Sequence, residues 1–214
     1  MKIVHVLCLD LEGVLIPEIW QAVALKTEIE ALQKTTRDIP VYDELMQLRL
    51  QVLAQHDLPL SMIQEVIDQL EPLPGAQDFL AWARLRFQIA IVSDTFYQFA
   101  MPFMAKLGWP TLLCHRLVVE DDRIVGYKIR QADPKRCAVK AFKSLNYRVF
   151  AAGDSYNDIP MLEEADHGFF FAAPKIIVDE FPQYPHAPNY AALQTLLSAG
   201  GEEFSTLSTP VRLT

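Results

Sequence analysis

Residues 8–18 read "CLDLEGVLIPE", which places Asp10 and Glu12 two positions apart at the end of an apolar run, with Gly13 directly after them. The stretch "KIVHVLCL" (2–9) is short and rich in branched residues, as is typical of a strand buried on both faces of a parallel sheet. Two carboxylates at the end of such a strand are costly unless another group compensates their charge. The pair therefore indicates a candidate site.

The composition indicates one folded domain with an insertion. A chain of 214 residues, 51% of them hydrophobic, is long enough for this. The formal net charge is −8 and no basic run is present, which argues against a nucleic-acid partner. Three widely spaced cysteines fit neither a disulfide framework nor a zinc site and favour a reducing compartment. Without a signal-peptide pattern or a run of about 18 apolar residues, we expect a cytoplasmic protein with no membrane partner.

A helical pattern fills residues 17–74, directly after the first predicted strand. Within it, Ser61 and Gln64 have the spacing of a capping box at the start of a helix. The stretch "PLPG" (72–75) ends the segment. The pattern predicts a small all-helical insertion.

After the insertion, helix and strand patterns alternate, as expected of a parallel sheet. The stretches "FQIAIVS" (87–93) and "RVFAAG" (148–153) predict strands, and "RLVVEDDRIVGYKI" (116–129) predicts a β-hairpin. The predicted fold class is α/β, a doubly wound, mainly parallel, Rossmann-like sheet with a small all-helical cap inserted after the first strand. The expected units are an α/β core (1–16 and 75–200), a helical cap (17–74) and a flexible tail (201–214).

Polar residues follow several of the predicted strands, where ligands gather in doubly wound sheets. Asp10, Glu12 and Asp154 would repel one another at close range, and a divalent cation resolves this. Carboxylates, carbonyls and waters suit octahedral Mg²⁺, which often shares its shell with a phosphate. Lys135 would add positive charge and Ser93 a hydrogen bond. The set therefore predicts a site for phosphoryl transfer.

The order of four motifs resembles the haloacid dehalogenase superfamily, whose phosphatases form an aspartyl-phosphate intermediate. The motifs are "DLEGV" (10–14), "VSDT" (92–95), Lys135 in "DPKR" (133–136) and "GDSYND" (153–158). The resemblance makes Asp10 the nucleophile, Glu12 the general acid/base, and the helical insertion a cap that selects the substrate. It implies Mg²⁺ bound by Asp154, the Asp10 carboxylate and the Glu12 backbone carbonyl. The remaining implied roles are phosphate binding, by Ser93 and Lys135, and orientation of Lys135 or the metal's waters, by Asp158.

Longer stretches make residues 2 to about 197 similar to the bacterial phosphoserine phosphatases that also transfer the phosphoryl group to homoserine. Among them are "KTTRDIP" (34–40), "SDTFYQF" (93–99) and "TLLCH" (111–115). In such enzymes a Glu just after the first motif and an Arg in the cap recognise the amino and carboxylate groups of the substrate.

The positions that match these two recognition residues are Glu18 and Arg49, and the resemblance adds Asn157 and the backbone around Asp94 to the substrate contacts. Arg49 also interrupts an apolar helical stripe, and a substrate carboxylate would be a good partner for a buried guanidinium. The alternatives are that Arg49 extends toward solvent and that Glu18 only complements a helix dipole. Lys128, Lys140 and Lys143 compete with Lys135, and His5 and His115 are expected to be hydrogen-bonded parts of the sheet.

The resemblance therefore predicts a Mg²⁺-dependent enzyme acting on small molecules, with L-phosphoserine as donor and water or homoserine as acceptor. The superfamily's second acid is usually Asp, so Glu12 is one methylene longer, and we hypothesise that it tolerates an alcohol acceptor. The rival functions are a phosphatase for another small phosphorylated metabolite and a non-catalytic sensor of such metabolites. The physiological acceptor and the formation of a homodimer stay open.

Overall fold

The computed structural model describes residues 5–36, 38–39 and 41–205, the last five by their backbone alone. In this part of the chain the strands are β1 (His5–Leu9), β2 (Phe87–Phe96), β3 (Thr111–Glu120), β4 (Arg123–Lys128), β5 (Arg148–Gly153), β6 (His167–Phe171) and β7 (His186–Ala187). They form one sheet in the order β4-β3-β2-β1-β5-β6-β7. All neighbours are parallel except β3 and β4, which form the predicted hairpin. The predicted α/β class is confirmed.

Helices connect the strands. Over the same residues they are α1 (Ile19–Thr27), α2 (Tyr42–Gln55), α3 (Leu60–Asp68), α4 (Ala76–Arg84), α5 (Tyr97–Lys106), α6 (Pro134–Ser144), α7 (Ile159–Glu164), α8 (Lys175–Glu180) and α9 (Tyr190–Ser205), with short 3-10 turns at Glu30–Gln33 and Tyr156–Asp158. The predicted tail from residue 201 overlaps the last five residues of α9, and residues 206–214 lie outside the described part. No described helix is both long and apolar enough to cross a membrane.

Helices cover both faces of the sheet, which explains the uninterrupted apolar runs of its central strands. Side chains of β1 alternate between the faces: Leu7 and Leu9 point to one, Val6 and Cys8 to the other. The first face packs against α4, α5, α9 and the helices between β1 and α4, while the second packs against α6, α7 and α8. The central strands are therefore held rigidly up to their carboxyl ends.

The segment between β1 and α4 is helical, as predicted, but α3 begins differently. Its first residue is Leu60, so Ser61 lies inside the helix and the predicted capping box with Gln64 is wrong. Instead the backbone N–H and the hydroxyl of Ser61 donate to the carboxylate of Asp122 at 3.0 and 2.5 Å. The Leu60 N–H donates to the Asp122 carbonyl at 2.7 Å. The turn between β3 and β4 therefore caps α3.

Candidate active site

Three neighbouring strands end at one cavity of about 690 Å³. Asp10 follows β1, Ser93 lies near the end of β2, and Asp154 follows β5. Lys135 lies in the first turn of α6. All four residues are buried, because the carboxyl ends of neighbouring parallel strands meet at one edge and the first turn of α6 faces it.

One carboxylate oxygen of Asp10 has a partner, and the other has none among the described residues. Its backbone N–H donates to the carbonyl of Ala152 in β5 at 3.0 Å, and its Oδ2 lies 3.3 Å from Nζ of Lys135. Its Oδ1 is buried and has no hydrogen-bond partner among the described residues. Burial raises the pKa of Asp10 well above its usual range, although the charge of Lys135 opposes this rise.

Carboxylates surround the ammonium group of Lys135. Its Nζ lies 2.5 Å from Asp158 Oδ1, 3.3 Å from Asp10 Oδ2 and 3.7 Å from Asp94 Oδ2. Burial would lower the pKa of Lys135, but these carboxylates raise it well above its usual range. Lys135 is therefore a permanent cation at this edge of the sheet.

Asp158 organises the loop that follows β5. Its Oδ2 accepts hydrogen bonds from the backbone N–H groups of Asp154 and Ser155 at 3.0 and 3.1 Å, while its Oδ1 binds Lys135. A Cβ atom at Gly153 would collide with the Asp158 side chain, so the strand end requires glycine. Asp158 thus connects Lys135 to the loop that carries Asp154.

Three of these carboxylates could hold a metal ion. One oxygen each of Asp10, Asp154 and Asp158 lies within 4.8 Å of the others. Gly13 has a φ of 77°, and a Cβ atom there would lie 2.6 Å from Asp154 Oδ2, so this glycine makes room for the cluster. The oxygen donors and the buried Asp10 Oδ1 without a partner fit a hard divalent cation.

Glu12 lies against the start of α1. Its Oε2 accepts a hydrogen bond from the backbone N–H of Ile19, the first residue of that helix, at 2.9 Å. Burial and the charge of Glu18 raise the pKa of Glu12 to about 7, and the Ile19 bond and smaller contributions from Thr95 and Arg49 oppose this. A carboxyl group with such a pKa can both donate and accept a proton near neutrality.

Arg49 extends from α2 into the lining of the same cavity and is only 8% exposed, so it does not extend toward solvent. Its guanidinium lies over the ring of Trp20 at 4.6 Å, and Nη2 donates to the Lys34 carbonyl at 3.0 Å. Its Nε is buried without a hydrogen-bond partner, and no carboxylate of the described residues forms an ion pair with it. Burial lowers the pKa of Arg49 to about 10. Glu18, just before α1, lines the same cavity.

Ser93, Asp94 and Asn157 form the rim between β2 and the loop after β5. The hydroxyl of Ser93 accepts a 3.4 Å hydrogen bond from the Thr95 N–H. Asn157 Nδ2 donates to Asp94 Oδ2 at 2.7 Å, and Asn157 Oδ1 accepts the hydroxyl of Ser155. The side chain of Asp94, and not only its backbone, therefore faces the site.

Among the lining residues that were not predicted, His115 and Tyr42 both contact Asp94. His115, in β3, is hydrogen-bonded as expected, since its Nδ1 accepts from the Arg130 N–H, and its Nε2 lies 3.5 Å from Asp94 Oδ1 in the neighbouring strand β2. The hydroxyl of Tyr42 donates to the Asp94 carbonyl at 2.9 Å. No local pattern distinguishes either residue, because the Tyr42 contact spans 52 positions of sequence.

Comparison with known proteins gives consistent results. The haloacid dehalogenase-like hydrolase family matches residues 12–163. A protein of Pseudomonas aeruginosa named phosphoserine phosphatase ThrH is 59% identical over 191 residues, which are 89% of this chain and 93% of that protein. A protein of Pseudomonas syringae pv. tomato named phosphoserine phosphatase is 58% identical over 192 residues, covering 89% of this chain and 81% of that protein.

A solved structure described as a substrate-bound phosphoserine phosphatase complex has a similar fold. Its TM-score is 0.79 at 20% sequence identity, and the match covers 93% of this chain and 99% of that one. At this identity the likeness concerns the fold alone, and that fold agrees with the sheet and helices described above. With the family match over most of its length and relatives near 60% identity, the chain belongs to the haloacid dehalogenase-like hydrolases.

Proposed function

We propose that the chain is a Mg²⁺-dependent phosphoserine phosphatase that also transfers the phosphoryl group to homoserine. The observation that carries this proposal is one cavity lined both by the acidic residues at the strand ends and by a buried guanidinium. Asp10, with Lys135 beside it, is suited to a phosphate, and Glu18 and Arg49 in the same lining are suited to an amino acid. The names of the two Pseudomonas relatives support the substrate assignment.

Recognition of the amino acid uses opposite charges. The buried guanidinium of Arg49, held over Trp20, would accept the substrate carboxylate as a bidentate partner. The carboxylate of Glu18 would bind the ammonium group. Serine and homoserine share this zwitterionic part, so both would bind at these residues.

The first half of the reaction transfers the phosphoryl group to the protein. Asp10 attacks the phosphorus in line, while Ser93 and Lys135 hold the phosphate oxygens. Glu12, whose pKa is raised to about 7, protonates the departing seryl oxygen. The products are serine and an aspartyl-phosphate at Asp10.

The second half returns the phosphoryl group to an acceptor. Glu12, now ionised, removes a proton from water or from the hydroxyl of homoserine. Attack by water gives inorganic phosphate, and attack by homoserine gives phosphohomoserine. In both halves Lys135, positioned by Asp158 at 2.5 Å, balances negative charge on the transferred group.

The residues that would hold Mg²⁺ are Asp154, the carboxylate of Asp10 and the backbone carbonyl of Glu12. When bound, the ion would neutralise charge on the phosphoryl oxygens and on the clustered carboxylates. Asp158 would orient Lys135 and the loop, since both of its oxygens already accept hydrogen bonds.

The decisive experiment supplies phosphoserine and Mg²⁺ with and without homoserine, and measures inorganic phosphate and phosphohomoserine separately. We expect phosphate in both mixtures and phosphohomoserine only when homoserine is present. Chelation of Mg²⁺ by EDTA should abolish both products. No product from phosphoserine in either mixture would overturn the substrate assignment.

A second measurement distinguishes an enzyme from a sensor of phosphorylated metabolites. Beryllium fluoride with Mg²⁺ should form an acyl-phosphate mimic on Asp10, visible as a fluorine resonance. The Asp10→Asn variant should lack the resonance. Absence of the resonance in the wild-type protein would contradict the proposed nucleophile.

We also propose a cytoplasmic site of action on small-molecule substrates. All three cysteines are free, and Cys8 and Cys114 are buried, as expected in a reducing compartment. Fractionation of cells followed by immunodetection would check this, and recovery of the protein outside the cytoplasm would contradict it.

A further inference from the structure

The carboxylate of Asp94 is the meeting point of three donors from different parts of the chain. Its Oδ1 lies 3.5 Å from Nε2 of His115 in β3. Its Oδ2 lies 2.7 Å from Nδ2 of Asn157 and 3.7 Å from Nζ of Lys135. Its backbone carbonyl accepts the hydroxyl of Tyr42 from α2. Although burial would raise the pKa of Asp94, Lys135 and the hydrogen bonds lower it to about 2, so the group is ionised.

The imidazole of His115 has only one orientation that suits these neighbours. Its Nδ1 accepts a hydrogen bond from the backbone N–H of Arg130 at 3.2 Å, so in the neutral ring the proton is on Nε2, which faces Asp94. The residue is 3% exposed, and its ring packs edge-on against Tyr42 at 5.9 Å. A backbone donor thus fixes His115 as a donor toward Asp94.

Asp94 and His115 lie where the pairing between β2 and β3 is interrupted, so their contact can connect the two strands there. The pairing between β2 and β3 runs from Ala90 to Val92, is interrupted, and resumes only at Phe96 opposite His115. The interruption contains Ser93 and Asp94, both of which line the cavity. The contact between Asp94 and His115 links the two strands where the backbone ladder is missing.

We propose that Asp94 and His115 are positioning residues for phosphoryl transfer. They fix the end of β2 that carries Ser93, orient the Asn157 amide and provide Lys135 with a carboxylate in addition to that of Asp158. The proposal rests on the proposed function, since the groups it positions are those expected to bind the phosphate. The side chains of both residues act through Ser93, Asn157 and Lys135, so loss of either should reduce kcat more than it raises KM.

The Asp94→Asn variant tests the donor arrangement. His115, Asn157 and Lys135 all present donors, so the carbonyl of the new carboxamide can satisfy only part of them, and its N–H₂ group faces another donor. We expect kcat for phosphoserine to fall about 100-fold with KM changed less than about threefold, as for misplacement of groups by about an ångström. The matched control Asp68→Asn, an exposed acid at the end of α3, should retain wild-type kcat.

A second substitution should rescue the first. The amide of a glutamine at position 115 can turn its carbonyl toward the N–H₂ group introduced at position 94, which His115 cannot do because Arg130 fixes its tautomer. The double variant Asp94→Asn/His115→Gln should therefore recover about tenfold in kcat over Asp94→Asn alone. Additive losses from the two substitutions would mean that the pair only fills space, and would overturn the proposal.

The tautomer of His115 can be read without turnover, which separates this proposal from the proposed function. Nitrogen-15 NMR of the wild-type protein, with the resonance assigned by comparison with His115→Gln, should show a neutral ring protonated on Nε2. His186→Gln, at an exposed position in β7, provides the assignment control. A ring protonated on Nδ1 would overturn the proposal, whereas a correct tautomer without phosphoserine turnover would overturn only the proposed function.

Discussion

Lys135, which contacts Asp10 in the cavity lining, and Arg49, which lines the same cavity, are both buried cations, but the protein surrounds them differently. Lys135 is 2% exposed and has carboxylates of Asp158, Asp10 and Asp94 within 3.7 Å. Arg49 is 8% exposed, and within the described residues it has a ring, a carbonyl and a sulfur as neighbours but no ion-paired carboxylate. Carboxylates raise the pKa of the lysine, and burial lowers that of the arginine.

The difference separates two uses of a buried charge. Lys135 is compensated before any ligand arrives, so its position does not depend on the substrate. Arg49 is held in place by packing, and no carboxylate of the described residues forms an ion pair with it, so a ligand carboxylate would add the missing direct partner. In the proposed function, this would prepare Lys135 for the chemical step and Arg49 for selection of the substrate.

The largest expected effect follows removal of the compensated cation. Lys135→Met leaves Asp158 and Asp10 buried without their cation, so the free energy of unfolding should fall by about 3–5 kcal/mol. Turnover of phosphoserine should fall by about 10³. Urea denaturation and a phosphate-release assay measure the two effects. The control is Lys140→Met, which removes an exposed lysine of the same helix; equal stability of the two variants would contradict the comparison.

Removal of Arg49, which has no ion pair with a described carboxylate, should weaken substrate binding rather than reduce stability. Arg49→Met should raise KM for phosphoserine about 100-fold, the equivalent of about 2.7 kcal/mol for a lost charge-assisted contact. Phosphoethanolamine, which lacks the carboxylate, should be turned over at a rate within about threefold of wild type. The unfolding free energy should not fall, because no buried ion pair is broken.

The matched control for this variant is Arg86→Met, since Arg86 also lies over a tryptophan, Trp82, at 4.5 Å but outside the cavity. It should leave KM unchanged. A rise in KM for phosphoethanolamine equal to that for phosphoserine would show that Arg49 does not select the carboxylate.

A smaller effect concerns the pH dependence of the first half-reaction. Protonated Glu12 is the expected acid, so the rate of serine release should fall as the pH rises through its pKa of about 7. The charge of Arg49 lowers the pKa of Glu12, so Arg49→Met should move this fall to higher pH by about half a unit, or about 0.7 kcal/mol. The pH profiles of the rate at saturating phosphoserine measure the shift. An unchanged fall of the rate at high pH would show that the charge of Arg49 does not affect the pKa of Glu12.

The smallest expected effect is on the choice of acceptor. Glu12 reaches Ile19 at the start of α1 through its full side-chain length, and Glu12→Asp would withdraw the carboxyl by about an ångström. The ratio of phosphohomoserine to inorganic phosphate should then fall severalfold, because a shorter acid favours the smaller acceptor. A folded, active variant with an unchanged ratio would disprove this role of the extra methylene.

The sequence predicts the fold well because its signals are local. The apolar run before Asp10 and the alternation after residue 75 reflect strands buried on both faces, and these strands carry Asp10, Ser93 and Asp154 to one edge. The resemblance in the order of the motifs favoured Lys135 over the other three candidate lysines. In the structure Lys135 lies buried beside Asp10.

The remaining features depend on contacts between distant residues. His115 has the appearance of an ordinary strand residue, and only the interruption of pairing between β2 and β3 directs it to Asp94. Ser61 has the local pattern of a capping residue, yet Asp122 supplies the cap. Side-chain pairs of this kind leave no periodic trace in a single sequence.

The capping of α3 by Asp122 affects when this helix can be completed during synthesis of the chain. Ser61 leaves the ribosome 61 residues before the turn that completes its helix. At about 5–20 residues per second, roughly 3–12 s pass before that partner is made. Over this interval the amino end of α3 lacks its cap, so the helical segment between β1 and α4 is completed only after the hairpin has emerged.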